Sequence, residues 1–378
     1  MRNNYRQYNL YQAGLSLVEL MVGMAIGLLV ALIIMQVMSV FEGQKRTTTG
    51  TADAQTNGAI ALYNIAREAQ FAGYPLMPSG KANIADSALE CTTLTSNVAG
   101  IASSVASLSP ITITEGASSA GVNASDTITI RYGSSAFGGT PTIIGGPPVA
   151  LAIPVGTTAS PGTNLGCAVN DISLIINGTN CALSTVTAVA GTVAPMTVTL
   201  ANTTGSAVGA NLACLGTWNT VTYAVNAGNL QRSISTNGAA AVTEIVGTGV
   251  VNLQAQYGVS ALANSNQVTQ WVNADAAPWL APTVANRNRI KSVRVAVIVR
   301  NPKIEPSAVT TACTQAAAPA PTTGLCAWQN VAAAAPVTAS SAPVVNLSFA
   351  DANWARYRYR VFETIMPLRN VVWSKDTL

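Results

Sequence analysis

The 378-residue chain contains no histidine, and only 9% of it is charged, 19 Lys and Arg against 15 Asp and Glu. Without His the commonest general base and metal ligand are missing, and so is every Ser-His or Cys-His nucleophile arrangement. The carboxylates Asp126, Asp171, Glu244, Asp275, Glu305, Asp351 and Glu363 stand singly, without the spacing of a calcium loop or a paired-acid site, and read as turn or surface residues. No Cys-x-x-Cys pair occurs, which argues against zinc or thioredoxin-like chemistry. Gly247-Thr248-Gly249 lacks the third glycine and following helix of a dinucleotide loop, and no Gly-x4-Gly-Lys loop exists. The expectation is a protein that is not an enzyme and needs neither cofactor nor metal.

The shortage of charge has a second consequence. A net charge of +4 implies no polyelectrolyte partner, and the composition is not that of a highly charged disordered chain. Gly, Ser, Thr, Asn and Ala dominate instead, so neutral polar side chains must cover a β-rich, loop-rich surface.

What is abundant is apolarity in one place. From Leu15 to Phe41 only Glu19 is ionisable, and a helix over these roughly 27 residues would be about 40 Å long, enough to cross a bilayer with tilt. Its apolar residues lie all round, which suits lipid or a bundle of like helices better than one soluble core. Glu19 is the anomaly, because a carboxylate in hydrocarbon costs about 2 to 4 kcal/mol unless compensated. A secretory signal would have a shorter apolar region with a small-residue cleavage site after it, whereas here the Gly junction, Gly14, precedes the run. Arg2 and Arg6 before the span are balanced by Lys45 and Arg46 after it, so charge alone sets no orientation.

Beyond Phe41 come Gly43, Thr47 to Thr49 and Gly50, poor helix formers that predict a weakened or bent helix. Ala54, Gly58, Leu62, Ile65, Ala69 and Ala72 then recur at three- and four-residue intervals as one small-residue stripe, with Gln55, Asn57, Asn64, Arg67, Glu68 and Gln70 elsewhere. Gly73 and Pro75 end the helix. From about residue 80 short strands are expected at Ile111–Thr114, Thr127–Tyr132, Ile172–Ile176, Met196–Leu200, Thr220–Val225, Leu230–Ile234, Val250–Tyr257, Ile290–Val299 and Arg356–Ile365. Asn226 to Asn229 reads as a hairpin turn, and antiparallel sheet is expected because no helical pattern intervenes. Whether the strands form one sheet or two subdomains stays open. The segments Gly133 to Gly162 and Thr310 to Ala342 read as long loops. Arg356, Arg358 and Arg360 alternate with Tyr357, Tyr359 and Val361; this could be a basic face for nucleic acid, but a strand with one solvated face gives the same pattern.

Six cysteines behind an export-type segment point to an oxidising compartment and up to three disulfides. Proximity suggests Cys313 with Cys326 and Cys167 with Cys181, which leaves Cys91 with Cys214.

Gly14 followed by Leu15-Ser16-Leu17-Val18-Glu19 resembles the signal of type IV prepilins. Further segments resemble the PilW family of minor pilins: Asn64 to Tyr74, Ser125 to Tyr132, Ile290 to Val297, and Tyr359 to Ile365 followed by Pro367 to Asn370. That resemblance implies an α+β, pilin-like fold, a long N-terminal helix packed on an antiparallel β-sheet head with long loops. Its parts would be a cleaved leader over residues 1–14, a transmembrane segment over 15–41, a spine helix over 42–74 and a head over 75–378. It implies cleavage after Gly14, methylation of the Leu15 amine, subunit docking through Glu19, and spine–head packing through Ala54, Gly58, Leu62, Ile65 and Ala69. The implied function is priming of pilus assembly within a tip-associated minor pilin complex. Implied partners are other minor pilins, the major pilin, prepilin peptidase, the inner-membrane assembly platform and a large tip adhesin. The implied location is the inner membrane with the head in the periplasm, then the extracellular pilus tip. Alternatives are a minor pseudopilin of a type II secretion system, or a pilus-tip adhesin or DNA-uptake component.

Overall fold

The structure is a computed structural model; it describes residues 14, 16–76, 88–116, 118, 119, 122–156, 166–191, 196–313, 325–328, 333–336, 338–340, 345–348 and 350–373. Leu15 and all of the leader before Gly14 lie outside the described residues.

Helix α1 runs over Leu17–Ala69, 53 residues. The expected weakening near residues 43–50 does not occur, since every residue there is α-helical. Within this run Thr47 Oγ1 donates to Gly43 O (3.1 Å), Thr48 Oγ1 to Gln44 O (3.0 Å) and Thr51 Oγ1 to Thr47 O (2.8 Å). These hydroxyls find their partners on the preceding turn of the helix, bonds that are compatible with helical backbone although they do not strengthen it.

The strands that follow are β1 (Thr93–Ser96), β2 (Ile111–Thr114), β3 (Ser118–Ser119), β4 (Val122–Asn123), β5 (Thr127–Tyr132), β6 (Thr142–Ile143), β7 (Ala152–Val155), β8 (Ile172–Asn177) and β9 (Asn180–Ala190). Then come β10 (Met196–Leu200), β11 (Asn211–Gly216), β12 (Asn219–Asn226), β13 (Asn229–Thr236), β14 (Val242–Thr248), β15 (Val250–Ser260) and β16 (Val268–Val272). Helix α2 (Val284–Arg287), β17 (Ile290–Arg300), β18 (Tyr359–Pro367) and α3 (Arg369–Trp373) complete the chain.

The strands group into two bodies. One is a seven-stranded sheet, ordered β6-β11-β8-β9-β10-β7, with β1 added to β9. Its ends meet, because Ile144 bridges Val155, Gly145 N donates to Pro154 O (3.0 Å) and Gly156 N to Ile143 O (2.8 Å). Closure removes the open edges that invite stray pairing, and the interior is filled by Ile144, Ile153, Val155, Ile175, Val186, Val198 and Leu212. The pairing of β1 with β9 is parallel, the one departure from the antiparallel expectation among these pairs.

The other body joins a five-stranded sheet, β14-β13-β12-β5-β2, to a four-stranded one, β16-β15-β17-β18. Alternate residues supply one core: Ile128 and Ile130 of β5, Val221 and Tyr223 of β12, Leu253, Ala255 and Tyr257 of β15, and Val293, Val295 and Val297 of β17. Each large aliphatic chain buried this way contributes about 1.5 to 3 kcal/mol. The hairpin between β12 and β13 turns on Ala227 (φ 48°) and Gly228 (φ 73°), the left-handed pair that a two-residue turn requires. The last expected strand starts later than its alternating pattern suggested. Trp354–Arg356 is a 3-10 turn and pairing begins at Tyr359.

Two of the three expected disulfide pairings are corrected. The bonds are Cys91–Cys181, Cys167–Cys214 and Cys313–Cys326. Strand alternation explains why Cys167 does not meet Cys181. Cys181 and Leu183 of β9 face the cluster that holds Cys91, whereas Ala182 faces the barrel interior that holds Cys167 and Cys214. Neighbours in sequence therefore lie on opposite sides of one sheet.

Candidate functional site

Gly14 is exposed and outside the helix. Ser16 caps the helix, its Oγ accepting from Glu19 N at 3.1 Å, as a serine one place before the first turn commonly does. Glu19 lies in that first turn, where the helix dipole favours a carboxylate. Between Leu17 and Phe41 it is the single ionisable side chain, and the helix is long and apolar enough to cross a membrane.

Within the head, the part of α1 from Ala52 onward is seated on the two-sheet body. Ala54, Ala61, Ile65 and Ala69 are buried, as is Ala72 just beyond the helix. Leu62 is only half-buried against the core; Ala61, unmarked in the sequence reading, occupies that level of the stripe. The two are adjacent and both apolar, so spacing alone did not separate them. Gly58 has a specific neighbour, since a Cβ built on it would lie 2.1 Å from Phe362 Cε2 and 2.3 Å from Cδ2. The ring of Phe362, on β18, occupies the space that a side chain at 58 would need.

Polar fasteners flank this stripe. Asn57 Nδ2 donates to Thr248 Oγ1 (2.8 Å) and Tyr223 Oη to Asn64 O (3.2 Å). Glu68, placed by its sequence pattern on the polar side, is 8% exposed and accepts from Arg232 Nε (3.1 Å) and Nη2 (2.5 Å). Arg232 also reaches Glu244 Oε1 at 3.1 Å. Burial works against the charge on Arg232, but its two carboxylate partners outweigh this and raise its pKa. Burial, with Glu68 nearby, pushes the Tyr223 hydroxyl up, so it serves as a neutral donor. A lone inward carboxylate paired 164 residues away leaves no local sequence signal.

Asp126 is another correction, because it is buried rather than a surface or turn charge. Its Oδ1 accepts from Gly116 N (3.0 Å) and its Oδ2 from Ala255 N (2.8 Å), while the neighbouring Glu115 accepts from Ala274 N (2.7 Å). Burial and then the Glu115 carboxyl push Asp126 well above the ordinary carboxylate range; burial also raises Glu115. Asp171 accepts from Ala168 N, as expected of a turn, and Asp275 and Glu363 are exposed, whereas the Glu305 side chain is only 12% exposed and departs from the surface reading. Of the three C-terminal arginines, Arg356 Nε donates to Glu305 O (2.8 Å) and Arg358 Nε to Glu305 Oε1 (3.0 Å). That leaves Arg360 exposed on its own, far short of a basic stripe. Among the described residues no group of three or more His, Cys, Asp or Glu could hold a metal ion.

An apolar N-terminal helix, capped just after an exposed Gly and followed by a largely antiparallel β head, is the architecture expected of a prepilin-like protein. Two comparisons carry this further. Residues 9–35 match the prokaryotic N-terminal methylation motif, and residues 219–370 match the family described as Type IV Pilus-assembly protein W. In both segments the chain is therefore similar to prepilin-like minor pilins of PilW type, proteins of the type IV pilus. No curated protein and no solved structure matches it. The second match runs from β12 to α3, so it includes β18 and β13, the strands that carry Phe362 and Arg232.

Proposed function

We propose that the chain helps prime type IV pilus assembly and takes its place in a tip-associated complex of minor pilins. The observation that carries this reading is the overlap of the methylation motif, residues 9–35, with a helix in which Glu19 is the single ionisable side chain up to Phe41. Cleavage after Gly14 by prepilin peptidase would expose the Leu15 amine. In lipid that amine and the Glu19 carboxylate of a neighbouring subunit neutralise each other, so two groups costly in hydrocarbon become one tolerated pair. Ala54, Gly58, Leu62, Ile65 and Ala69 hold the head to its helix. Other minor pilins, the major pilin and the inner-membrane platform are the partners, and a tip adhesin is the cargo. Three disulfides support a head that matures in the periplasm before reaching the pilus tip.

The test uses cells carrying Gly14→Glu or Glu19→Ala. Gly14→Glu should leave a precursor that keeps residues 1–14, read by intact mass. Glu19→Ala should be cleaved normally yet lose co-purification with other pilins. Normal maturation of the first variant, or an unchanged complex with the second, would overturn the assignment.

A further inference from the structure

A cavity of about 410 Å³ opens in the head between the β12–β13 hairpin tip and the end of β17. Its wall includes Ser125, Asn252, Arg300 and Asn346, with Val225 and Val251 as apolar floor. That volume lies in the range of small-ligand sites, in which an apolar lining carries a few converging polar groups.

The charge in it is unusual for this chain. Arg300 donates a long hydrogen bond, 3.3 Å from Nη1 to Asp351 Oδ2, and also interacts with the Tyr359 hydroxyl, while its side chain keeps 25% of its surface open. Its guanidinium lies 4.4 Å over the Tyr357 ring, which fixes the plane of the fork without using up its donors. Asp351 is held below the usual carboxylate range, first by the Asn353 backbone N–H, so it remains an anion and half-neutralises Arg300. Apart from Asp351 and the Tyr357 ring, the polar groups that line the cavity with this cation are neutral amides and a hydroxyl. Asn252 is buried and accepts from Gln254 Nε2 at 2.9 Å, and Ser125 Oγ accepts from Leu253 N at 3.1 Å. Both are fixed by strand β15 and so are preorganised. One planar cation for a carboxylate, amides and a hydroxyl for ring hydroxyls, and a small aliphatic floor for a sugar face make a consistent set.

We propose that this cavity binds an acidic monosaccharide unit, a uronic acid or its equivalent within a surface polysaccharide. The site is independent of Gly14 and Glu19, so its failure would leave the assembly reading intact. The test is calorimetric titration of the full-length protein, in a detergent without a sugar headgroup, with glucuronate, glucose and glutarate. Glucuronate should bind, and glucose should bind about tenfold more weakly, the order expected for losing one charge-assisted hydrogen bond. Arg300→Gln should bring glucuronate down to the level of glucose. Ala350→Trp, at an exposed wall position, should abolish binding of both sugars while leaving the near-UV circular dichroism unchanged, which separates a filled cavity from a misfolded head. Absence of glucuronate binding, equal binding of glucose, or glutarate binding as tightly as glucuronate would each overturn the proposal; the last would mean that the cavity reads a bare carboxylate rather than a sugar.

Discussion

Gly58→Ala is a substitution for which two physical effects predict opposite signs. In a helix interior alanine is better than glycine by about 1 kcal/mol, so helix propensity alone predicts a more stable protein. The packing predicts the reverse. The added Cβ would fall 2.1, 2.3 and 2.8 Å from three ring atoms of Phe362, distances that require the ring to move. Phe362 packs against the main core and is tied to β17 through its register with Val297, so displacing it disturbs the strand edge as well. Overpacking of this kind costs about 1 to 3 kcal/mol. The cost should exceed the propensity gain, leaving a net loss of about 1 kcal/mol. Urea unfolding with disulfides intact, followed by near-UV circular dichroism, measures it. A double variant, Gly58→Ala with Phe362→Leu, should recover part of the loss, because the smaller side chain vacates the space; the two substitutions must then be non-additive. If Gly58→Ala alone raised the urea midpoint, the close seating of helix on strand would be refuted.

Two further predictions concern buried chemistry. Glu115 and Asp126 both have folded-state pKa values above their unfolded ones, so their contribution is fully present below about pH 4 and is lost as pH rises through the raised values. Glu115→Gln should therefore stabilise the head at neutral pH and not in acid, and an equal effect at pH 4 and pH 7.5 in thermal melts would contradict the shared site. For the disulfides, a non-reducing peptide map should link the peptide of Cys91 to that of Cys181. Loss of this bond, closing 90 residues, should cost about 4 to 5 kcal/mol, against about 3 for the 13-residue Cys313–Cys326 loop, and a Cys167–Cys181 linkage would refute the topology.

What could be read from the sequence was local. Ile111–Thr114, Thr127–Tyr132 and Met196–Leu200 have the bounds that alternation implied, because a strand with one buried face shows its period in a few residues. The turn at Ala227 and Gly228 was equally local. Strands β9 and β11 escaped notice because β11 is buried on both faces and β9 is rich in Ala, Ser and Thr, so neither alternates cleanly. The cysteine pairing failed for a related reason, since it depends on which face of a sheet each residue occupies. The Glu68–Arg232 pair is set by the packing of a helix on a strand far away in the chain, and a charge of that kind looks like any surface charge until the partner is placed.

The sparse charge of the chain gains a different meaning once these partners are known. Glu68, Asp126, Arg287, Lys291 and Arg294 are all buried, in a protein with only 19 basic and 15 acidic residues. Each ties separate segments together. Arg287 donates to Val105 O and Leu89 O, Lys291 Nζ to Ala263 O, and Arg294 lies between the rings of Trp271 and Trp328 while bonding Gln256. Burial lowers all three cations, Arg287 to about 10, Lys291 to about 8 and Arg294 to about 9. Removing one partner of such a bond strands a desolvated polar group, which costs more than the bond contributes. Several of the few charges of this head are therefore structural. Arg300 differs from these buried cations in lining a cavity, where its side chain keeps 25% of its surface open beside its pairing with Asp351.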